Sequence, residues 1–179
     1  MIKNIFFLVF SFWLTLSFSQ NEYKKGSDEF IIAQIALKIP DVKSLVESKI
    51  MNPFTKELYS RFAIDTFRIA YYLEQKSLYS LLSYKERIEL VKDATKEYES
   101  IMNKYFELSK KEATENQKKA LIISQENWEV FRQKEFTWLS TRLKEEILDV
   151  NYYRQYCNIV KERMSTMFYY YTDFVENGN

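Results

Sequence analysis

Histidine is absent from all 179 residues, and a set of chemistries goes with it. A Ser-His-Asp or Cys-His arrangement cannot be built. The usual zinc ligand sets and the Glu-x-x-His pairs of di-iron bundles fall for the same reason. The single cysteine, Cys157, cannot close a disulfide within the chain. It is either a small buried apolar residue or an intermolecular link. The two glycines, Gly26 and Gly178, stand at opposite ends, so there is no glycine-rich phosphate loop. With only two prolines besides, the chain has too few breakers for a many-stranded sheet protein. Charge is scarce in net terms too, at +1. A neutral chain lacks the electrostatic footprint that dominates nucleic-acid binding. The basic and aromatic residues interleaved in "KSLYSLLSYKER" therefore read as helix surface and boundary packing, and no nucleic-acid partner is expected.

What is present begins with "MIKNIFFLVFSFWLTLSFSQ". Lys3 precedes an uncharged run from Ile5 to Leu16, and Ser17-Phe18-Ser19 stand before Gln20. That is a basic n-region, an h-region of signal-peptide length and small residues where a signal peptidase reads. The run is too short for a membrane-spanning helix, which needs about 20 apolar residues. Residues 1–19 are thus expected to be a signal peptide, and the mature chain to be exported, periplasmic or secreted, without stable membrane insertion. Removing them leaves 160 residues and takes away Lys3, so formal charge falls from +1 to 0. A chain of that length makes one domain with a core large enough to fold without staples.

Start and stop signals agree with helices. Asn52-Pro53 places an N-cap residue before proline at the first helical position. Ser83-Tyr84-Lys85-Glu86 and Thr114-Glu115-Asn116-Gln117 fit the capping box. Pro40 is expected to end a short helix containing "DEFIIAQIALKI", with Asp41 capping the next. Apolar residues then recur at threes and fours. The first series is Ile88, Val91, Ala94, Tyr98, Ile101, Tyr105, Leu108. The second is Leu121, Trp128, Phe131, Trp138, widened by Phe136, Leu139, Leu143 and Ile147. The third is Tyr153, Tyr156, Val160, Met164, Met167, Tyr171, Phe174. Three long amphipathic helices with short polar joints predict an all-α antiparallel bundle of about five or six helices. The segment "FTKELYSRFAIDTFRIAYYLEQKSLYSLL" is apolar on more of its circumference and reads as a central helix, broken near Asp65. In outline, residues 20–85 form an N-terminal helical segment packed on a helical domain over residues 86–179.

Carboxylates could still do acid–base work: Glu126 with Glu129, or Glu145, Glu146 and Asp149. Glycosidase-type chemistry needs two carboxyls facing across a cleft. Glutamates interleaved with Lys134 and Lys144 on a helix face read better as solvated partners one turn apart. No catalytic residue, metal ligand or cofactor is expected. The cluster "FYYYTDF" puts Tyr169, Tyr170 and Tyr171 in one run, which supplies amphipathic contact area of the kind found at interfaces. The alternative is a terminal helix docked on the bundle.

One stretch carries a resemblance. In "NQKKALIISQENWEVFRQKEF", Gln125, Trp128 and Arg132 match in identity and spacing the core motif of the bacterial lysozyme-inhibitor LprI-like family. Upstream, Glu99, Met102, Asn103 and Phe106 are similar to the family's Asp-x-x-Leu-Asn-x-x-Tyr helix. Downstream, "CNIVKERMSTMF" is similar to its closing segment, with Cys157 before the pair Glu162-Arg163. The resemblance spans roughly residues 90–170. Two departures stand out: Gln133 and Phe136 occupy the places of the family's aspartate and cysteine. If the family's second cysteine corresponds to Cys157, an aromatic has replaced its disulfide partner and packing must do the clamping.

Two roles follow for the motif. In the structural one, Trp128 plugs the bundle while Gln125, Arg132 and Asn103 organise a polar seam, Arg132 lying on the indole one turn away. In the functional one, these residues form an exposed lysozyme-contact surface. We read them as structural. The resemblance implies an exported helical binding protein that blocks a lysozyme by occupying its cleft, with no catalysis of its own. Lysozymes are commonly basic, so an acidic patch would help association. The alternative is a cell-envelope structural or assembly module that holds a partner with its aromatic faces.

Overall fold

The computed structural model describes residues 24–142 and 150–177. The expected signal peptide lies outside them, as do Leu143, Lys144, Glu145, Glu146, Ile147 and Asp149. The chain is all-α: five helices and no strand among the described residues. They are α1 (Asp28–Lys49), α2 (Pro53–Tyr79), α3 (Tyr84–Glu112), α4 (Glu115–Arg142) and α5 (Val150–Asn177).

The caps form where the sequence places them. Asn52 accepts a hydrogen bond from the Phe54 amide at 2.9 Å, with Pro53 opening α2. Ser83 and Glu86 satisfy one another's backbone amides at 3.3 and 2.7 Å, a complete capping box. Gln117 closes back on the Thr114 amide at 2.9 Å. Each contact satisfies an amide that the first turn of a helix leaves unpaired.

Two expected breaks do not occur. α1 runs through Pro40 to Lys49. Proline removes the amide that would bond the Ala36 carbonyl, but both residues face solvent, where water can take that role. α2 is likewise continuous through Asp65, which stands on a helix flank facing Arg68 at 4.0 Å and Lys104 of α3 at 3.6 Å.

Consecutive helices are antiparallel. Asp28 of α1 accepts from Tyr72 and Lys76 near the end of α2, at 2.8 and 2.6 Å, while Lys43 meets Glu57 at 3.7 Å. Gly26 makes this end possible. Its φ of +89° and the Tyr79 carbonyl, which would stand 2.8 Å from an added Cβ, both demand glycine.

The two helices packed most intimately, α3 and α5, run parallel. Lys92 lies 5.0 Å over the Tyr153 ring, and farther along Tyr105 stands edge-on to Phe168 at 5.0 Å, so residue numbers rise together along the pair. Their shared core is Val91, Ala94, Tyr98, Met102 and Tyr105 against Cys157, Val160, Met164, Met167 and Phe168, all buried. α2 covers one side, stacking Phe62 on Phe168 at 3.9 Å. The first and third apolar series therefore face inward as expected.

The second series divides. Leu121 and Leu139 are buried, and Trp128 packs on the core while partly exposed. Phe131 and Trp138 are about half exposed, at 49% and 52%. α4 crosses outside the α3–α5 pair and touches it along a narrow line, so the residues of its second apolar stripe stay about half exposed.

Candidate functional site

Where α4 crosses the α3–α5 pair, its polar residues form a seam. Arg132 of α4 pairs with Glu99 of α3 and with Glu129 of its own helix, both at 2.5 Å. Its guanidinium lies 5.0 Å over the Trp128 ring and 5.9 Å from that of Tyr156 on α5. Gln125 donates to Glu129 at 3.1 Å and accepts from Arg163 of α5 at 3.1 Å. Arg163 also donates to Ser124 at 3.0 Å and stands 5.8 Å from the other side of the network, at the Trp128 ring. Burial pulls the Arg163 guanidinium below its usual pKa and pushes the Tyr156 hydroxyl above its own. The chain thus places two arginines and two glutamates around one indole, with Arg132 answering both carboxylates and Arg163 held by the neutral oxygens of Gln125 and Ser124.

Gln125, Trp128 and Arg132 come together as expected, but Asn103 does not join them. It is exposed, one position past the buried Met102 and so turned about 100° from the inward stripe of α3. Its expected place opposite Gln125 is taken by Arg163. Arg163 and Glu99 belong to the segments that carry the resemblance, but neither has a role that the sequence alone assigns. The available signal was a charged residue on an apolar stripe: Arg163 sits between Val160 and Met164.

Phe136 meets its expected task from a different side. Its ring packs on Tyr152 and Tyr156 at 5.1 and 5.0 Å, and Tyr152 donates to the Phe136 carbonyl at 3.2 Å. Cys157 instead lies toward Thr95 of α3, buried and free, with its thiol pKa raised by that burial. An aromatic cluster ties α4 to α5 here without a disulfide.

Beside the seam opens a groove of about 500 Å³, walled by Lys92, Lys96 and Glu99 of α3, Val130, Gln133 and Phe136 of α4, and Tyr153 and Tyr156 of α5. Its carboxylates are engaged, Glu99 and Glu129 by Arg132, so no pair faces across it free to act as acid and base. Among the described residues no group of three His, Cys, Asp or Glu stands close enough to hold a metal ion. A second groove of about 570 Å³ runs between α1, α2 and α3, with Ile32, Ile35, Ile39, Ile69, Leu73 and Leu90 below a rim of Arg68, Asp93 and Glu97.

The tyrosine run splits in two. Tyr171 turns inward beside Tyr105 at 5.8 Å, whereas Tyr169 and Tyr170 are 57% and 40% exposed. Exposed Glu162, Asp173 and Glu176 share the helical face of Tyr169. From Glu162 to Asn177 the only base is Arg163, which is drawn into the seam. The outer face of this half-helix therefore shows tyrosine, carboxylate and neutral polar groups, with no exposed base.

Compared with known proteins, the chain matches no family model, and no curated protein or solved structure matches it.

Proposed function

We propose that this chain is an exported helical binding protein, similar to LprI, that inhibits a lysozyme by occluding its cleft. The observation that carries the reading is the outer face of the second half of α5, where Tyr169 and Tyr170 stand among Glu162, Asp173 and Glu176 and no base between Glu162 and Asn177 is exposed. Tyrosines offer rigid amphipathic contact area, and flanking carboxylates steer association with a basic enzyme. The overall charge is neutral, so this local asymmetry is what a basic partner would find. The motif residues support the resemblance in a different way. Glu99, Gln125, Trp128, Arg132 and Arg163 lie in three separate helices yet meet in one seam. They act as the frame that holds α4 on α5, and contact with the partner falls to the tyrosine face.

The test is lysis of a bacterial cell-wall suspension by a panel of lysozymes with the purified protein added. Inhibition should appear at micromolar protein or below, weaken with salt, and fall at least tenfold in Tyr169→Ala and Asp173→Lys. A protein that leaves every lysozyme fully active at 100-fold excess overturns the reading. A cell-envelope assembly role would then gain ground, favoured by the open apolar groove between α1 and α3. Export is tested separately: the protein recovered from outside the cytoplasm should begin at or near Gln20.

A further inference from the structure

The outer stripe of α4 consists of Ile123, Val130, Phe131 and Trp138, exposed at 56%, 51%, 49% and 52%. Exposed apolar residues scattered singly are ordinary. These four are not scattered, because at 100° per residue they fall within one face about 100° wide. Asn127 and Lys134, both exposed, occupy the rest of that face. The spacing is also symmetric. Ile123 and Trp138 lie equally far from a point midway between Val130 and Phe131, and so do Asn127 and Lys134.

We propose that this stripe is a self-association surface, on which α4 of a second copy packs antiparallel about a two-fold axis between Val130 and Phe131. A two-fold contact requires a patch complementary to itself. Here reversal of the helix brings Ile123 level with Trp138 and Lys134 level with Asn127, while Val130 and Phe131, on opposite edges of the stripe, each stand beside their own copy. The one cation on the stripe meets an amide whose oxygen can accept a hydrogen bond from it. Its own copy stands seven residues along the axis, about 10 Å away, so like charges do not meet.

The area is sufficient. An aromatic side chain carries roughly 150–250 Å², so the exposed halves of Phe131 and Trp138, with Ile123 and Val130, offer roughly 350–400 Å² of apolar surface per copy. Two copies, with the polar residues of the same face, reach the roughly 1,000 Å² that separates a specific interface from a casual contact. The pairing leaves the tyrosine face of α5 out of the interface, so a dimer would carry two copies of it.

Light scattering and sedimentation of the purified protein should give the mass of two chains at micromolar concentration. Phe131→Glu should give one chain with unchanged helicity. Site-directed cross-linking fixes the register, in a Cys157→Ala background. Val130→Cys should form a covalent dimer under mild oxidation, since like residues lie close across the axis. Ile123→Cys alone should not, because its two copies stand about 22 Å apart. Mixed with Trp138→Cys it should cross-link. A single-chain mass at 100 µM, with no cross-link at Val130→Cys, overturns the proposal. So does a dimer in which Ile123→Cys links to itself.

Discussion

Arg132 joins the charge of α3 to that of α4, and replacing it by leucine measures what the seam contributes. The substitution removes a charge-assisted hydrogen bond to Glu99, an ion pair with Glu129 and a guanidinium stacked on Trp128. Hydrogen bonds to charged groups are worth about 1.5–3 kcal/mol when well enclosed. The Arg132 side chain is 23% exposed and the carboxylates 30% and 40%, so solvent screening brings each to about 1 kcal/mol. The stacked cation adds about 0.5–1 kcal/mol. Leucine regains part of this by lying on the indole, which leaves a net cost of about 2 kcal/mol. For a domain of this size that is a fall in Tm of about 4–8 °C. A double-mutant cycle with Glu99→Gln should return a coupling of about 1 kcal/mol, measured by urea unfolding. The cycle with Glu129→Gln should return less, because Glu129 is more exposed and sits on the same helix. Molar salt, with a screening length of about 3 Å, should shrink both. A Tm within one degree of wild type, or a Glu99 coupling indistinguishable from zero, refutes the view that the seam fastens α4.

Four further outcomes are expected. Trp128→Ala should cost about 2–3 kcal/mol in urea unfolding, less than the 3–5 of a fully enclosed aromatic, because the indole is only partly buried; an unchanged midpoint would show that the indole packs on nothing. Ser60 and Ser109 bury hydroxyls with no hydrogen-bond partner among the described residues, so alanine at either should be neutral or stabilise by up to about 1 kcal/mol, and a clear loss of Tm would contradict this. Burial pushes Tyr98, Tyr105 and Tyr152 up to about 12, and burial together with the bond to Asp28 does the same for Tyr72. Their native pKa values are raised above the unfolded value near 10, so the stability they contribute is whole below about pH 10 and lost as pH climbs towards 12; tyrosinate absorbance should lag there and then jump with unfolding. Finally, the Cys157 thiol should resist alkylation at pH 8 until urea is added, and Cys157→Ala should melt within a few degrees of wild type, which rapid labelling of the native protein would contradict.

The parts of the fold written in local chemistry were legible. An N-cap before a proline and two capping boxes involve residues two or three apart, so their geometry depends on little else. The stripes of α3 and α5 were legible because each of those helices buries a single face. Pro40 misled because a proline's cost depends on where the orphaned carbonyl points, and at Ala36 it points to solvent. Asp65 misled for a similar reason: a charged residue in an apolar helix can sit on its flank and answer a cation next door, as it does with Lys104. The parallel pairing of α3 with α5 was not visible at all. Sequence order suggests antiparallel neighbours, and nothing local says that the middle helix of three will be the outer one.

The site was half legible for the same reason. Gln125, Trp128 and Arg132 could be seen as one face because they share a helix. Their partners Glu99 and Arg163 lie 33 and 38 residues away from the residues they bind, and only the crossing of α4 over the parallel pair brings them within reach. That crossing also explains the charge. A helix laid over the boundary between two others contacts each along a line too narrow for a broad apolar stripe, and Leu121 and Leu139 are its only buried apolar residues. Directional pairs to both neighbours then fix position and rotation where packing alone would let the helix roll. Rolling would exchange one apolar face of α4 for the other, since both are available. The seam therefore decides which face meets the core, and in doing so it commits Ile123, Val130, Phe131 and Trp138 to the outside.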